Sequence, residues 1–273
     1  MADKKTFRLV WFQHLSKAAG TSIVELARAN GEKFYPHNAN GNPRKNDGSL
    51  IRLWEMNATE LTGFIDHCER EDITFVANEW GGPDFSLLAS DPRVKLITCL
   101  RDPFERFLSN YYYGYHYGYT DCISPESYND SEKTIWGLYT RNNYYCRMFS
   151  RRHHEADLIT DEHFELAKSN LALFDSCTLI RGRESFSEIK RLLGWNDNQV
   201  YANRNILDSG SLTRQLLTGK VKLLWRRLVN PKKQPDDAFR NHFLEQNIWD
   251  YKLIQACTFD RSTTTKPVDD AIR

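Results

Sequence analysis

The stretch FRLVWFQHLSKAAGTSIVELARANG, residues 7–31, decides the reading of the fold. Its first part, Phe7–Leu15, is apolar, β-prone and too short for an independent helix. Ile23, Leu26 and Ala27 then fall on one helical stripe, and Gly31 supplies a stop signal. A strand that runs through a short loop into a helix aims backbone N–H groups and the positive end of the helix dipole at one spot, which suits a phosphate. Within the loop, Gly20 lets the backbone approach closely, Thr21 and Ser22 offer hydroxyl donors, and Lys17 adds a mobile point charge. Lys17 stands before the glycine, whereas a nucleoside triphosphatase loop carries its lysine directly after one, so a conventional triphosphatase is disfavoured. The plain alternative is an ordinary turn whose helix is closed by a capping box between Ser22 and Glu25.

Outward from this stretch, further strand candidates lie at Lys33–Tyr35, Ile73–Ala77, Lys95–Leu100 and Thr178–Arg181. The segments between them are long enough for crossovers, which parallel strands require. A central, mainly parallel five-stranded sheet with helices on both faces is therefore the expected α/β architecture. After the fourth strand, Asp102 is placed to cap a helix, with Pro103 at its first position and Glu105 completing a capping-box-like arrangement. Residues 121–176 read as a helical, aromatic cover over the sheet edge, with Thr160 as cap of DEHFELAKSNLALF. KVKLLWRRLVNPKK, within residues 220–233, reads as a basic amphipathic helix with a solvated face. We expect a single domain over residues 1–260 and a flexible tail over 261–273.

Lys plus Arg number 37 against 36 acidic residues, so no bulk positive field calls for nucleic acid or a polyanionic glycan. Any anion site must be local. Met1–Arg8 is polar, and no run approaches the roughly 18 apolar residues of a membrane span. The expectation is a soluble, cytoplasmic protein with no membrane partner. The six cysteines form no CxxC pair and no zinc-ligand spacing with histidine, so neither a metal nor a disulfide framework is expected.

A second segment, VKLITCLRDPFERFLSNYYY (94–113), sets Arg101 where a strand ends, with a capped helix directly after it and Ser109 two turns on. Arg101 offers a planar fork for a phosphate and Ser109 a hydroxyl for the same group. Together the two segments resemble the Golgi-type carbohydrate sulfotransferases, which include the heparan sulfate 2-O- and 6-O-sulfotransferases and their bacterial relatives. In that family H-x-x-K-[TA]-[GA]-[GS]-T-[ST] binds the 5′-phosphosulfate of 3′-phosphoadenosine 5′-phosphosulfate (PAPS), and R-D-P-x-x-R-x-x-S-x-[YF] binds its 3′-phosphate. The matches run from His14 to Ser22 and from Arg101 to Tyr111. Weaker echoes are Asn143 with Arg147, and the rhythm of residues 179–195.

The resemblance implies a P-loop-like three-layer α/β/α fold and transfer of a sulfuryl group from PAPS to a small-molecule or carbohydrate acceptor, releasing 3′,5′-ADP (PAP), without a metal. It assigns Lys17, Ala19, Gly20, Thr21 and Ser22 to the phosphosulfate, and Arg101 and Ser109 to the 3′-phosphate. An acceptor hydroxyl must lose a proton, so a base is required. The 2-O- and 6-O-enzymes use a histidine just after the third strand. This chain reads ITFVANEWGG there, with Asn78, Glu79 and Trp80. Glu79 is the candidate base, as a glutamate is in the related N-sulfotransferases, and His14 is the other contender. Tyr115, His116 and Tyr117 are candidates for an aromatic acceptor wall that Trp80 would extend, with side-chain packing as their plain alternative. Two other functions stay open: a nucleotide kinase or other phosphotransferase, and a nucleotide-binding protein without catalysis.

Overall fold

The computed structural model describes residues 6–131, 142–153, 158–180, 186–196 and 235–262, the last five of them as backbone only. Arg181, the basic helix expected within 220–233 and the tail from 263 lie outside the described residues, as does part of the 179–195 echo.

The strands in chain order are β1 (Leu9–Gln13), β2 (Asn38–Ala39), β3 (Asn42–Pro43), β4 (Phe75–Asn78), β5 (Val94–Arg101) and β6 (Ser176–Ile180). Four of them form one parallel sheet in the order β4-β1-β5-β6. Every residue of β1 is buried, as expected of a strand covered on both faces. Its side chains alternate between two cores. Leu9 and Trp11 join Val76, Leu96 and Leu100 on one face, while Val10 and Phe12 join Phe75, Ala77, Ile97 and Cys99 on the other. Helices α1 (Gly20–Ala29) and α8 (Ser187–Leu193) cover the second face with Ile23, Val24, Ala27, Ile189 and Leu193. The first face is covered by α2 (Ala58–Arg70), α3 (Phe85–Ser90), α6 (Tyr144–Phe149) and α7 (Asp161–Ala172). Each fully buried Leu, Val or Phe contributes roughly 1.5–3 kcal/mol.

The sheet has four strands where five were expected. Residues 33–35 make only an isolated parallel bridge, Phe34 to Phe75. Pro36 lacks the N–H that a continuing ladder needs, and the outer edge of β4 is already shared: Phe75 N–H donates to the Lys33 carbonyl at 3.0 Å and Ala77 N–H to that of Gly41 at 3.0 Å. Gly41 belongs to the β2–β3 hairpin, whose Asn40 and Gly41 have φ of 50° and 81°. That pair suits the tight turn of a two-residue hairpin.

Helix α4 (Pro103–Tyr117) begins where its sequence signals: Pro103 occupies the first turn and the Asp102 side chain accepts from Glu105 N–H at 2.9 Å, but the Glu105 carboxylate turns to Arg101 and does not complete a capping box. A third, aromatic cluster packs α4 against α5 (Pro125–Asn129) and α9 (Asp237–Gln246) through Phe104, Phe107, Tyr111, Tyr115, Tyr128, Phe239 and Phe243. Thr160 caps α7: its Oγ1 accepts from His163 N–H, and its own N–H donates to His163 Nδ1. Among the described residues no helix is long and apolar enough to cross a membrane, and none of the six cysteines is in a disulfide.

Helices α6 and α10 (Ile248–Ser262) cap one another. Asn143 Oδ1 accepts from Trp249 N–H at 3.0 Å and Asp250 N–H at 3.3 Å, and Asn143 Nδ2 donates to the Gln246 carbonyl at 3.2 Å. In return the Asp250 carboxylate accepts from Tyr145 N–H at 3.1 Å and Cys146 N–H at 2.9 Å. Burial pushes the Asp250 carboxyl up, and the bonds from Cys146 and Tyr145 oppose this. Asn143→Ala strips α10 of its cap and leaves buried groups unpaired, so it should cost about 3 kcal/mol, read as a lower urea midpoint at unchanged slope.

Candidate active site

In a parallel sheet of this order, the chain leaves β1 toward β4 on one side and then returns to β5 on the other. The crevice outside the carboxyl ends of β1 and β5 lies at this reversal, where open α/β sheets bind ligands. The loop after β1 carries Lys17, the end of β5 carries Arg101, and the residue after β4 is Glu79. Three segments remote in sequence therefore deliver their polar residues to one edge.

The loop is held in an uncommon backbone conformation. Lys17 and Ala19 have φ of 64° and 62°, a region that costs a non-glycine residue roughly 1–2 kcal/mol. Ala19 stands at the N-cap of α1 and no side chain caps the helix. The Ser22–Glu25 capping box is not formed: Ser22 N–H donates to the Ala19 carbonyl at 3.0 Å, and Glu25 pairs with Arg28 at 2.9 Å. The Ala19 carbonyl thus takes up the Ser22 and Ile23 N–H groups, and the first turn of α1 keeps the Gly20 and Thr21 amides and its dipole for another partner. Ala19 and Ser22 are half-buried and Thr21 is exposed.

Packing inside the protein also requires a glycine at position 20. A Cβ there would lie 1.7 Å from His14 Nε2, so the imidazole is pressed against the start of α1. His14 is buried, stacks on Phe12 with centroids 5.5 Å apart, and points Nδ1 at Glu79 Oε2, 3.3 Å away. Gly20→Ala must displace this ring or the helix. It should cost about 3 kcal/mol in urea unfolding, and more if His14 cannot move.

Glu79 is the carboxylate with access to the crevice, its side chain 20% exposed against 6% for His14. Its backbone N–H donates to Asn42 Oδ1 at 2.9 Å, so the β2–β3 hairpin fixes its position. Burial pushes the Glu79 carboxyl up, but the adjacent His14 and the charge of Lys17 together outweigh it and hold the group below its ordinary value. Lys17 shows the complementary balance. Burial lowers its ammonium, Glu79 opposes that, and Arg101 adds to it, with a net downward shift. The Lys17 Nζ lies over the Tyr113 ring, 4.1 Å from the centroid.

Arg101 is pinned at the strand end by Tyr145, whose hydroxyl donates to the Arg101 carbonyl at 2.8 Å and accepts from its N–H at 3.1 Å. Its guanidinium reaches Glu105 at 3.5 Å. Ser109 is half-buried on α4, four residues before Tyr113 and hence on the face that meets Lys17.

Other candidates sit elsewhere. Asn78 is buried, with its side-chain amide donating to Gln13 Oε1 at 3.0 Å and to the Gly81 carbonyl at 2.6 Å. It locks the turn after β4, while Trp80 follows Glu79 half-buried. Tyr115 and His116 are buried, Tyr115 tilted against Tyr111 and His116 stacked on Tyr112, which is the packing alternative. Tyr117 is exposed and touches Tyr113. Asn143 caps α10, and the buried Arg147 donates to the carbonyls of Asn142 and His153 at 2.9 and 3.1 Å, so neither lines the crevice.

Tyr113, Asn42 and Tyr145 were missed in the sequence. The i+4 spacing from Ser109 pointed to Tyr113 and the Asn-Gly pair to the hairpin; no local signal marks Tyr145. Among the described residues no three His, Cys, Asp or Glu side chains converge as a metal site would require. No family model and no curated protein matches this chain.

Proposed function

We propose that the protein is a PAPS-dependent sulfotransferase with a P-loop-like core, acting on a hydroxyl or amine of a small metabolite or carbohydrate. The observation that carries this reading is the meeting of Lys17, the uncapped start of α1 and Arg101 at the sheet's topological reversal, with the Glu79 carboxylate beside them. One cation and a helix terminus suit the phosphosulfate end of the donor. A second cation at the end of β5, with the Ser109 hydroxyl on the helix that follows, suits its 3′-phosphate. When bound, the donor supplies the sulfuryl group and departs as PAP. Lys17 neutralises charge that grows on the departing phosphate, and the α1 amides hold that phosphate in place. Glu79 accepts the acceptor's proton, and His14, wedged between Glu79 and Gly20, keeps the carboxylate oriented.

A thermal-shift series with 3′,5′-ADP against ATP plus Mg²⁺, followed by transfer of labelled sulfate from PAPS to a metabolite panel, tests the reading. Stabilisation by 3′,5′-ADP with transfer supports it. Stabilisation by ATP–Mg²⁺ alone replaces it with a phosphotransferase, and donor binding without transfer to any acceptor replaces it with a nucleotide-binding protein.

A further inference from the structure

The α4 face that meets Lys17 continues outward as a cluster of tyrosines. Tyr113, under the Lys17 ammonium, has Tyr117 at 4.7 Å and Tyr119 at 5.9 Å between ring centroids, and Tyr117 and Tyr119 are stacked at 6.4 Å with 21° between planes. Tyr117 and Tyr119 remain 41% and 50% exposed. The neighbouring rings of Tyr111, Tyr115 and Tyr128 are by contrast spent on the buried aromatic core. A grouped, solvent-facing set of rings marks a binding surface more often than a scattered one does.

Resting on the sulfotransferase reading, we infer that the acceptor is a planar aryl alcohol whose ring stacks on the Tyr113–Tyr117–Tyr119 cluster and presents its phenolic oxygen beside Lys17 and Glu79. The charge of this stretch separates the aryl reading from an anionic sugar acceptor, and two ionisable groups of the site fit it. Residues 107–131 contain no lysine or arginine while holding Asp121, Glu126 and Asp130, so this stretch repels sulfated or carboxylated glycans. Burial, then Tyr119 and Tyr117, push the Tyr113 phenol up, so it stays protonated and serves as a ring surface rather than a base. Burial works against ionisation of Glu79, yet His14 and Lys17 hold it below the ordinary carboxylate range, which makes it a weak base. Such a base suits a phenol, which ionises near pH 10, better than an aliphatic hydroxyl closer to water at about 15.7. In the transfer, the aryl oxygen forms the new S–O bond, the S–O bond to the 5′-phosphate breaks with its electron pair leaving on that phosphate, and the phenolic proton passes to Glu79.

The test uses the full chain with PAPS, with 2-naphthol as aryl acceptor and an uncharged N-acetylglucosamine disaccharide as sugar acceptor, and measures 2-naphthol binding by fluorescence in the presence of 3′,5′-ADP. Expected are preferential sulfation of 2-naphthol and a three- to tenfold weaker Kd for it in Tyr117→Ala and in Tyr119→Ala. Tyr117→Phe, which keeps the ring, should rescue the affinity, and the thermal shift by 3′,5′-ADP should be the same in all three variants. Sulfation of the disaccharide in preference to 2-naphthol, or a 2-naphthol Kd unmoved in both alanine variants, overturns the inference and leaves the sulfotransferase standing. Failure of 3′,5′-ADP to stabilise the wild-type chain overturns both.

Discussion

Lys17→Ala is expected to lower sulfate transfer about a thousandfold, the scale on which a preorganised charge at a departing oxygen acts. The fold should survive. Alanine at a φ of 64° carries the same backbone strain as lysine, and the change removes one cation–π contact worth about 1 kcal/mol. It also removes a partly desolvated charge, which offsets that loss. Affinity for 3′,5′-ADP should drop far less than turnover, because the α1 amides, Arg101 and Ser109 remain. Parallel measurement of labelled-sulfate transfer, the 3′,5′-ADP thermal shift and urea unfolding checks each part. A variant that keeps near wild-type turnover removes Lys17 from the chemistry.

Glu79→Gln should reduce kcat by about a hundredfold or more, the contribution of a positioned base, with 3′,5′-ADP affinity unchanged. The amide fills the same space beside His14 but accepts no proton. The pH dependence follows from the direction of its shift. Because His14 and Lys17 outweigh burial and hold the carboxyl below 4.5, the wild-type acid limb of kcat/KM should fall only below that pH. The same sign applies to stability: a carboxyl depressed on folding stabilises the native state above its unfolded value, and that contribution is lost as pH falls through the folded one. Glu79→Gln should therefore flatten stability against pH in the acid range. Full activity in Glu79→Gln together with a dead His14→Ala moves the base to His14.

Much of this architecture is written in short windows. The apolar run of β1, the stripe of α1, and the Asp102–Pro103 start of α4 are set by neighbours within a few residues, and each is seen in the structure. The fifth strand is not, because the edge of β4 is divided between Lys33 and Gly41 by pairings that no window around residues 33–35 contains. The same distinction separates the site residues. Lys17 and Arg101 declare themselves by standing at strand ends, where parallel topology must gather them. Asn143 and Arg147 carry equally polar side chains, yet Asn143 ties α6 to α10 through residues about 100 positions away and Arg147 ties together the turns that flank α6.

By itself the sequence determined the alternation that buries β1 on both faces, the entry of α1 directly after a lysine-bearing loop, and the candidates for anion contact. These depend on periodicity and chain direction, which are local. Only the tertiary structure decided that Gly20 makes room for His14, that Asn78 turns inward while Glu79 reaches the crevice, and that Tyr113 rather than Tyr115 lies under Lys17. Those choices are set by packing across the sheet's carboxyl edge, where side chains compete for one volume and the winner depends on partners brought in by the fold.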